Sequence, residues 1–332
     1  MVCLSASTAA PQTHNSIAGE LANAFDQYVH TQFEGAIDIA DRLFQRPELT
    51  VQDSLAVYEV LCVCAYAKGP THHEEAFSYL TRMADLGPCV IPLPHDFWPR
   101  ELQDRWWHQF KSTFNTLACP REYDQNVRTI AIMPFDNLSI GQYKESLSLL
   151  GSSLSEFFAY NFSAYSDLDI VERNQLDYLI REQKLVRDSL VDAATAIRLG
   201  KLLGAQLMVF GSISQYDKDE ARLLVRVVDV ETGRVLTMIS EEGKPHYSKM
   251  VRKSVEEVAD KLELQLDNSK SDRLKQGGTD SMDALQLYTR GLDYMDKYDY
   301  SNAYEFFKKA YEADNHFIQA REKMKIYQPL VG

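Results

Sequence analysis

The feature that most restricts the fold of this 332-residue chain is a change of hydrophobic spacing near residue 127 and its reversal near 265. Within that stretch, Thr129–Phe135 (TIAIMPF) is a compact apolar run of strand length. Leu168–Val171, Gln206–Tyr216, Arg222–Val230 and Arg234–Ile239 read as further strands, and Glu231-Thr232-Gly233 as a tight hairpin connection. Between them, Leu150, Leu154, Phe157, Phe158 and Phe162 follow helical spacing, as do Arg173–Leu185 and Asp192–Leu203. Ser248–Leu266 carries Val251, Val255, Val258 and Leu262 on one stripe. The order β-α-β-α-α-β-β-β-α predicts an α/β (α+β) domain over 127–265 with helices against a mixed sheet.

On either side the period is helical. Residues 16–118 hold successive amphipathic segments, closed at Pro47, Gly69-Pro70 and Gly87-Pro88. Thr71 with Glu74 has the spacing of a capping box. Trp106, Trp107, Phe110 and Phe114 are expected to stack on the end of this helical array. Residues 266–282 are polar and read as a linker, and 283–332 as two or three helices. Residues 1–15 read as disordered or as the remnant of a secretory signal.

The formal charge is −13, with 8 basic and 16 acidic residues among the first 126. An acidic chain is a poor general binder of nucleic acid or anionic lipid, both of which need basic surface. No apolar run approaches the ~18 residues of a membrane-spanning helix. All five cysteines lie in the first 119 residues, an odd number that excludes a complete internal disulfide framework. Cys62 and Cys64 sit in an apolar run and read as core residues. Cys89 and Cys119 are left open as a pair, since pairing depends on geometry.

Catalytic signatures are missing. The chain has no phosphate-binding glycine loop, no H-E-x-x-H and no G-x-S-x-G elbow. His72 and His73 are adjacent, so on a helix they diverge by about 100° rather than converging on a metal. The expectation is a non-enzymatic protein with no cofactor and no metal. At Val171–Gln175, where a strand runs into a helix, Glu172 and Arg173 have two readings: fixing the helix entry, or contacting a neighbouring subunit.

Several ordered stretches carry a resemblance: V-E-R-x-x-L at 171–176, G-K-L-L-G-A at 200–205, V-F-G-S-I at 209–213 and R-V-V-D-V-E-T-G at 226–233. Together they make 127–265 similar to the CsgG family, which includes the curli secretion channel and non-pore relatives. The resemblance implies a cell-envelope protein of a Gram-negative bacterium, periplasmic or associated with the outer membrane, without catalysis. It leaves homo-oligomer formation open. Only Asp217–Glu220 separates Tyr216 from Ala221. A pore-forming hairpin needs ~9–11 alternating residues per strand, so the channel function is not expected here.

Residues 284–317 resemble one tetratricopeptide unit, with Gly291, Tyr294, Ala303, Phe307 and Ala310 on its signature positions. The 16–118 helices resemble the same repeats in degenerate form. Leu285, Tyr288, Leu292 and Met295 then form an apolar stripe with two readings, packing on the chain itself or holding a protein partner. The leading expectation is an envelope scaffold or adaptor in assembly or export of a surface structure. The alternatives are a periplasmic regulator of an envelope enzyme such as a peptidoglycan synthase, and a ligand-binding or degenerate hydrolase domain.

Overall fold

The computed structural model describes residues 16–86, 98–114, 128–171, 173–182, 193–272, 274 and 277–331. These fall into two compact units, divided after Leu93.

The first unit is four helices: α1 (Ile17–Val29), α2 (Phe33–Phe44), α3 (Val51–Ala67) and α4 (His73–Asp85). The capping box is at α3, where the Asp53 N–H donates to Thr50 Oγ1 and the Thr50 N–H donates to Asp53 Oδ2, each at 3.1 Å. The expected box at Thr71 does not form. Pro70–His72 is a 3₁₀ turn that carries the chain into α4 without a side-chain cap. His73 stacks on Tyr66 with ring centroids 4.1 Å apart. Apolar residues surround α3, so Cys62 and Cys64 are free thiols in the core. Burial pushes the Cys64 thiol up to about 12. Cys3, Cys89 and Cys119, and the segment 1–15, lie outside the described residues.

Glu59 on α3 keeps Oε1 buried with no hydrogen-bond partner, and burial pushes its carboxyl up to about 8. The folded unit therefore holds a proton that the unfolded chain has released once pH exceeds about 4.3. Stability is expected to fall between that pH and about 8, where the folded form ionises too. Glu59→Gln should raise the melting temperature at pH 7 and flatten its fall between pH 5 and 8, read by thermal melts.

The second unit begins with α5 (Arg100–Phe114). The division thus cuts the 16–118 stretch and separates α5 from the helices before it. Trp106, Trp107 and Phe110 are buried within this second unit. Its sheet comprises β1 (Arg128–Ile132), β2 (Asp136–Asn137), β3 (Leu168–Ile170), β4 (Leu207–Gln215), β5 (Ala221–Asp229) and β6 (Val235–Gly243). The strand order is β3-β1-β4-β5-β6, with β2 also beside β4. β1 is parallel to β3 and β4, while β4, β5 and β6 form an antiparallel meander. The sheet is therefore mixed, as the element order predicts, and the domain is α/β with helical segments on its flanks.

Helices α6 (Gln142–Ser146), α7 (Leu150–Phe162), α8 (Arg173–Glu182), α9 (Ala193–Leu203) and α10 (Tyr247–Lys261) complete the α/β part. Gly151 opens α7 against the backbone of the β1–β2 connection: its carbonyl accepts from the Phe135 N–H at 3.2 Å, and a Cβ there would lie 1.7 Å from the Phe135 carbonyl oxygen. No larger residue fits that approach.

Three helices follow: α11 (Met282–Asp296), α12 (Tyr300–Ala313) and α13 (Ile318–Tyr327). Gly291 lets α11 cross α12 closely, since a Cβ would meet the Phe307 ring at 2.6 Å. Within the polar stretch expected to be a linker, Thr279 is bonded on both sides. Ser248 Oγ on α10 donates to the Thr279 carbonyl at 2.5 Å, and Thr279 Oγ1 donates to Asp314 Oδ2 at 2.5 Å. Ser281 caps α11 by accepting the Ala284 N–H at 3.2 Å. At the end of the stretch, Thr279 and Ser281 thus serve as turn and cap bonds.

Candidate functional site

Two places hold the residues of interest, one buried and one exposed. The buried one lies where α5, α7, α8 and α11 converge. Arg100 donates from Nη2 to Asp177 Oδ2 at 2.9 Å, and its Nε lies 3.7 Å from both Asp104 and Asp296 carboxylates. Arg173 turns inward as well. It donates to the Ser152 carbonyl at 2.5 Å and to Asp177 Oδ2 at 3.3 Å. These bonds tie the start of α8 to α7, which fits the first of its two readings. Glu172 lies outside the described residues.

Further out, Tyr288 donates to Glu156 Oε2 at 2.6 Å and Lys323 sits 3.1 Å from Glu156 Oε1. Tyr298 donates to Asp104 Oδ2 at 2.7 Å, and Arg181 pairs with the same carboxylate. Burial alone would raise the Asp177 carboxyl, but the Arg173 and Arg100 guanidiniums outweigh it and hold the group down at about 2. Every charge in this cluster has an opposite neighbour, so it braces helices and leaves no group poised for acid–base work.

The predicted partner stripe also turns inward. Leu285, Tyr288, Leu292 and Met295 are each 5% exposed or less and join the same core as α7 and α10. Tyr288 packs against Phe157 and Phe317 at 6.0 and 4.8 Å between ring centroids. The stripe is covered by this chain, because an isolated helix pair cannot bury its own apolar face and takes α7 as its neighbour. It is not an open partner site.

The exposed place is on the sheet. One face, with Leu223, Val225, Val227 and Ile239, packs into the core with α7 and α10. On the other face, α8 packs on β1 and α9 on β4. The same face of β5 and β6 carries Arg222, Leu224, Arg226, Met238, Ser240 and Glu242, by the strand register. Polar groups bridge it: Arg222 donates to Ser240 Oγ at 2.9 Å and pairs with Glu242 at 3.1 Å. The Arg226 guanidinium lies 4.8 Å over the Phe210 ring.

Two apolar patches mark opposite ends of this open face. At the end of β4, Leu138, Ile140 and Tyr216 gather, since the Leu138 and Ile140 N–H groups donate to the Ile213 and Gln215 carbonyls at 2.7 and 3.3 Å. Along β6 lie Val235, Leu236 and Met238. All six side chains are 47–57% exposed, and they make up most of the large apolar residues left in solvent among the described residues. The sequence did hold a signal for the second patch: β6 has apolar residues at consecutive positions, more than a one-sided strand needs. Nothing in the spacing marked Leu138 and Ile140, which sit in a connection.

β4 and β5 are joined by the short turn 217–220, closed by the Tyr216 N–H donating to the Glu220 carbonyl at 3.1 Å. Among the described residues no helix is long and apolar enough to cross a membrane. Among the same residues no three His, Cys, Asp or Glu side chains gather to hold a metal.

The family model described as "Curli production assembly/transport component CsgG" matches residues 111–223, about a third of the chain. The match stops inside β5, so the 226–233 stretch lies beyond it, as do the helices before residue 111 and after β6. No curated protein matches the chain. Among solved structures, the chain is similar to the LpoB C-terminal domain from Escherichia coli, at 20% identity over 35% of this chain and 80% of that one, with a TM-score of 0.26. It is also similar to lipoprotein GNA1162 from Neisseria meningitidis, at 15% identity over 40% of this chain and 99% of that one, with a TM-score of 0.27.

Proposed function

We propose that this protein is a non-enzymatic interaction module of the Gram-negative cell envelope, a scaffold or adaptor that docks a protein partner on its open sheet face. The observation that carries this reading is the Leu138–Ile140–Tyr216 patch, three exposed apolar side chains on one face of a rigid sheet. The family match over 111–223 supports the envelope setting, and the internally paired charge cluster leaves binding as the means of action. No cofactor enters this reading.

The regulator reading, in which the partner is an envelope enzyme such as a peptidoglycan synthase, is favoured by one feature. The short 217–220 turn supports it, since a pore-forming hairpin needs ~9–11 alternating residues per strand and this turn has no room for them.

The test is capture from envelope extract with the immobilised chain, read by mass spectrometry, against the double variant Leu138→Glu, Ile140→Glu. The wild type should retain an envelope protein and the variant should lose about tenfold or more of it, the scale of an interface hot spot. Equal recovery by both, or no envelope protein on either, overturns the reading. Adding the chain to a purified murein synthase and measuring its rate separates regulator from scaffold.

A further inference from the structure

A cavity of about 290 Å³ lies between α11 and the segment that joins α6 to α7. Small-molecule sites start at about 300 Å³, so its occupant is small. Met282, Gln286 and Arg290 form one wall, because residues four apart share a helix face. Glu145 on α6, Ser148 in the connection and Leu150 at the start of α7 form the other. Leu150 belongs to the apolar core and Met282 packs against it, which gives the cavity an apolar side. Thr289 also borders the cavity, but its hydroxyl is already bonded to Ser153 Oγ at 2.8 Å and donates to the Leu285 carbonyl at 2.7 Å.

The other polar groups on these walls are uncommitted. Glu145 and Arg290 are exposed, and neither makes an ion pair among the described residues. They do not pair with each other, so their charges lie more than 4 Å apart across the cavity. The guanidinium of Arg290 rests 6.0 Å from the Phe306 ring on α12, which keeps it on its own wall. Gln286 and Ser148 make no side-chain hydrogen bond among the described residues. We propose that this cavity binds a dipeptide-sized zwitterion, with its carboxylate on Arg290, its ammonium on Glu145 and an apolar side chain against Leu150 and Met282.

The two charges select this class. A ligand with only a negative group would bring it towards Glu145 as well as Arg290, and one with only a positive group meets the reverse conflict. A carboxylate matches the two-pronged donor geometry of a guanidinium. Because the two protein charges stand on separate walls, the ligand's charges must be separated too, as at the two ends of a peptide and not on the single carbon of a free amino acid. Gln286, one turn before Arg290, and Ser148 offer donors and acceptors for the peptide group between them.

The site shares no residue with the Leu138–Ile140–Tyr216 patch, and its test contains no partner protein, so its outcome is separate from the partner reading. The test is isothermal titration calorimetry of the full chain with alanyl-leucine, alanyl-leucinamide, N-acetyl-alanyl-leucine and free leucine. Alanyl-leucine should bind more tightly than leucine, and blocking either end should weaken it about tenfold, the scale of a hydrogen bond to a charged group. Arg290→Gln should weaken alanyl-leucine about tenfold and leave the amide bound as the wild type binds it. Glu145→Gln should do the same for the acetylated form. Both positions are exposed, so circular dichroism of the variants should be unchanged. No binding of alanyl-leucine at millimolar concentration, binding indifferent to either blocking group, leucine bound as tightly as the dipeptide, or variants that bind alanyl-leucine as the wild type does overturns the proposal.

Discussion

Arg100→Ala is expected to lower the unfolding free energy of the second unit by about 3–5 kcal/mol, the usual cost of removing one partner from a buried charge pair. The Arg100 side chain is 3% exposed and stands among the carboxylates of Asp104, Asp177 and Asp296. Its loss leaves three acids close together in a site that water reaches poorly. Arg100→Lys should recover only part of the loss, because one ammonium cannot address three carboxylates from a planar fork. Denaturant titration of the full chain, followed by tryptophan fluorescence from α5, reads the change. A shift below about 0.5 kcal/mol, the scale of an exposed pair, would remove the bracing role from this cluster.

The same cluster sets an acid limit. Asp177 is held at about 2 against an ordinary value of 3.8. Its folded pKa is depressed, so its contribution is present above the ordinary value and is lost as pH falls from about 4 towards about 2. At about 1.4 kcal/mol per pKa unit this amounts to about 2–3 kcal/mol. Asp177→Asn should therefore weaken the pH dependence in that window while costing stability at neutral pH.

Phe157→Ala is the second large expectation, at about 3–5 kcal/mol for a fully buried aromatic. The ring lies 6.0 Å from Tyr288 and 5.7 Å from Phe317, so α7 supplies the surface on which α11 and α13 close. Because one apolar cluster contains residues of β4, β5, α7, α10, α11 and α12, the α/β part and the C-terminal helices should melt in a single transition. The variant should move that transition as a whole. Two separable transitions, with only the second displaced, would show that the C-terminal helices form their own core.

The sheet was legible in the sequence because its strands are short apolar runs at period two or less, and burial on one or both faces forces that spacing. Thr129–Phe135 became β1 with the turn leading to β2, and Arg222–Val230 became β5 within one residue. Long-range choices were not legible. Leu285 and Tyr288 were marked as apolar and on one helix face, but whether α7 or a partner covers that face depends on residues more than 120 positions away. Arg173 stood out as a charged residue at a strand–helix junction, and its direction was decided by Asp177 and by a carbonyl on α7. Arg100, which anchors the same cluster, carries no local signature at all.

By itself the sequence determined the α/β class, the order of strands and helices and the buried thiols of α3. Each follows from local spacing or from a residue type whose packing or backbone needs are short-range. Only the tertiary structure decided that Thr279 and Ser281 are bonded in place, that the α11 stripe is covered, that α5 belongs with the second unit, and that solvent-facing apolar residues collect at the two ends of one sheet face. Those outcomes depend on which distant surfaces meet, and hydrophobic burial, being non-directional, does not encode its partner in the spacing of either surface.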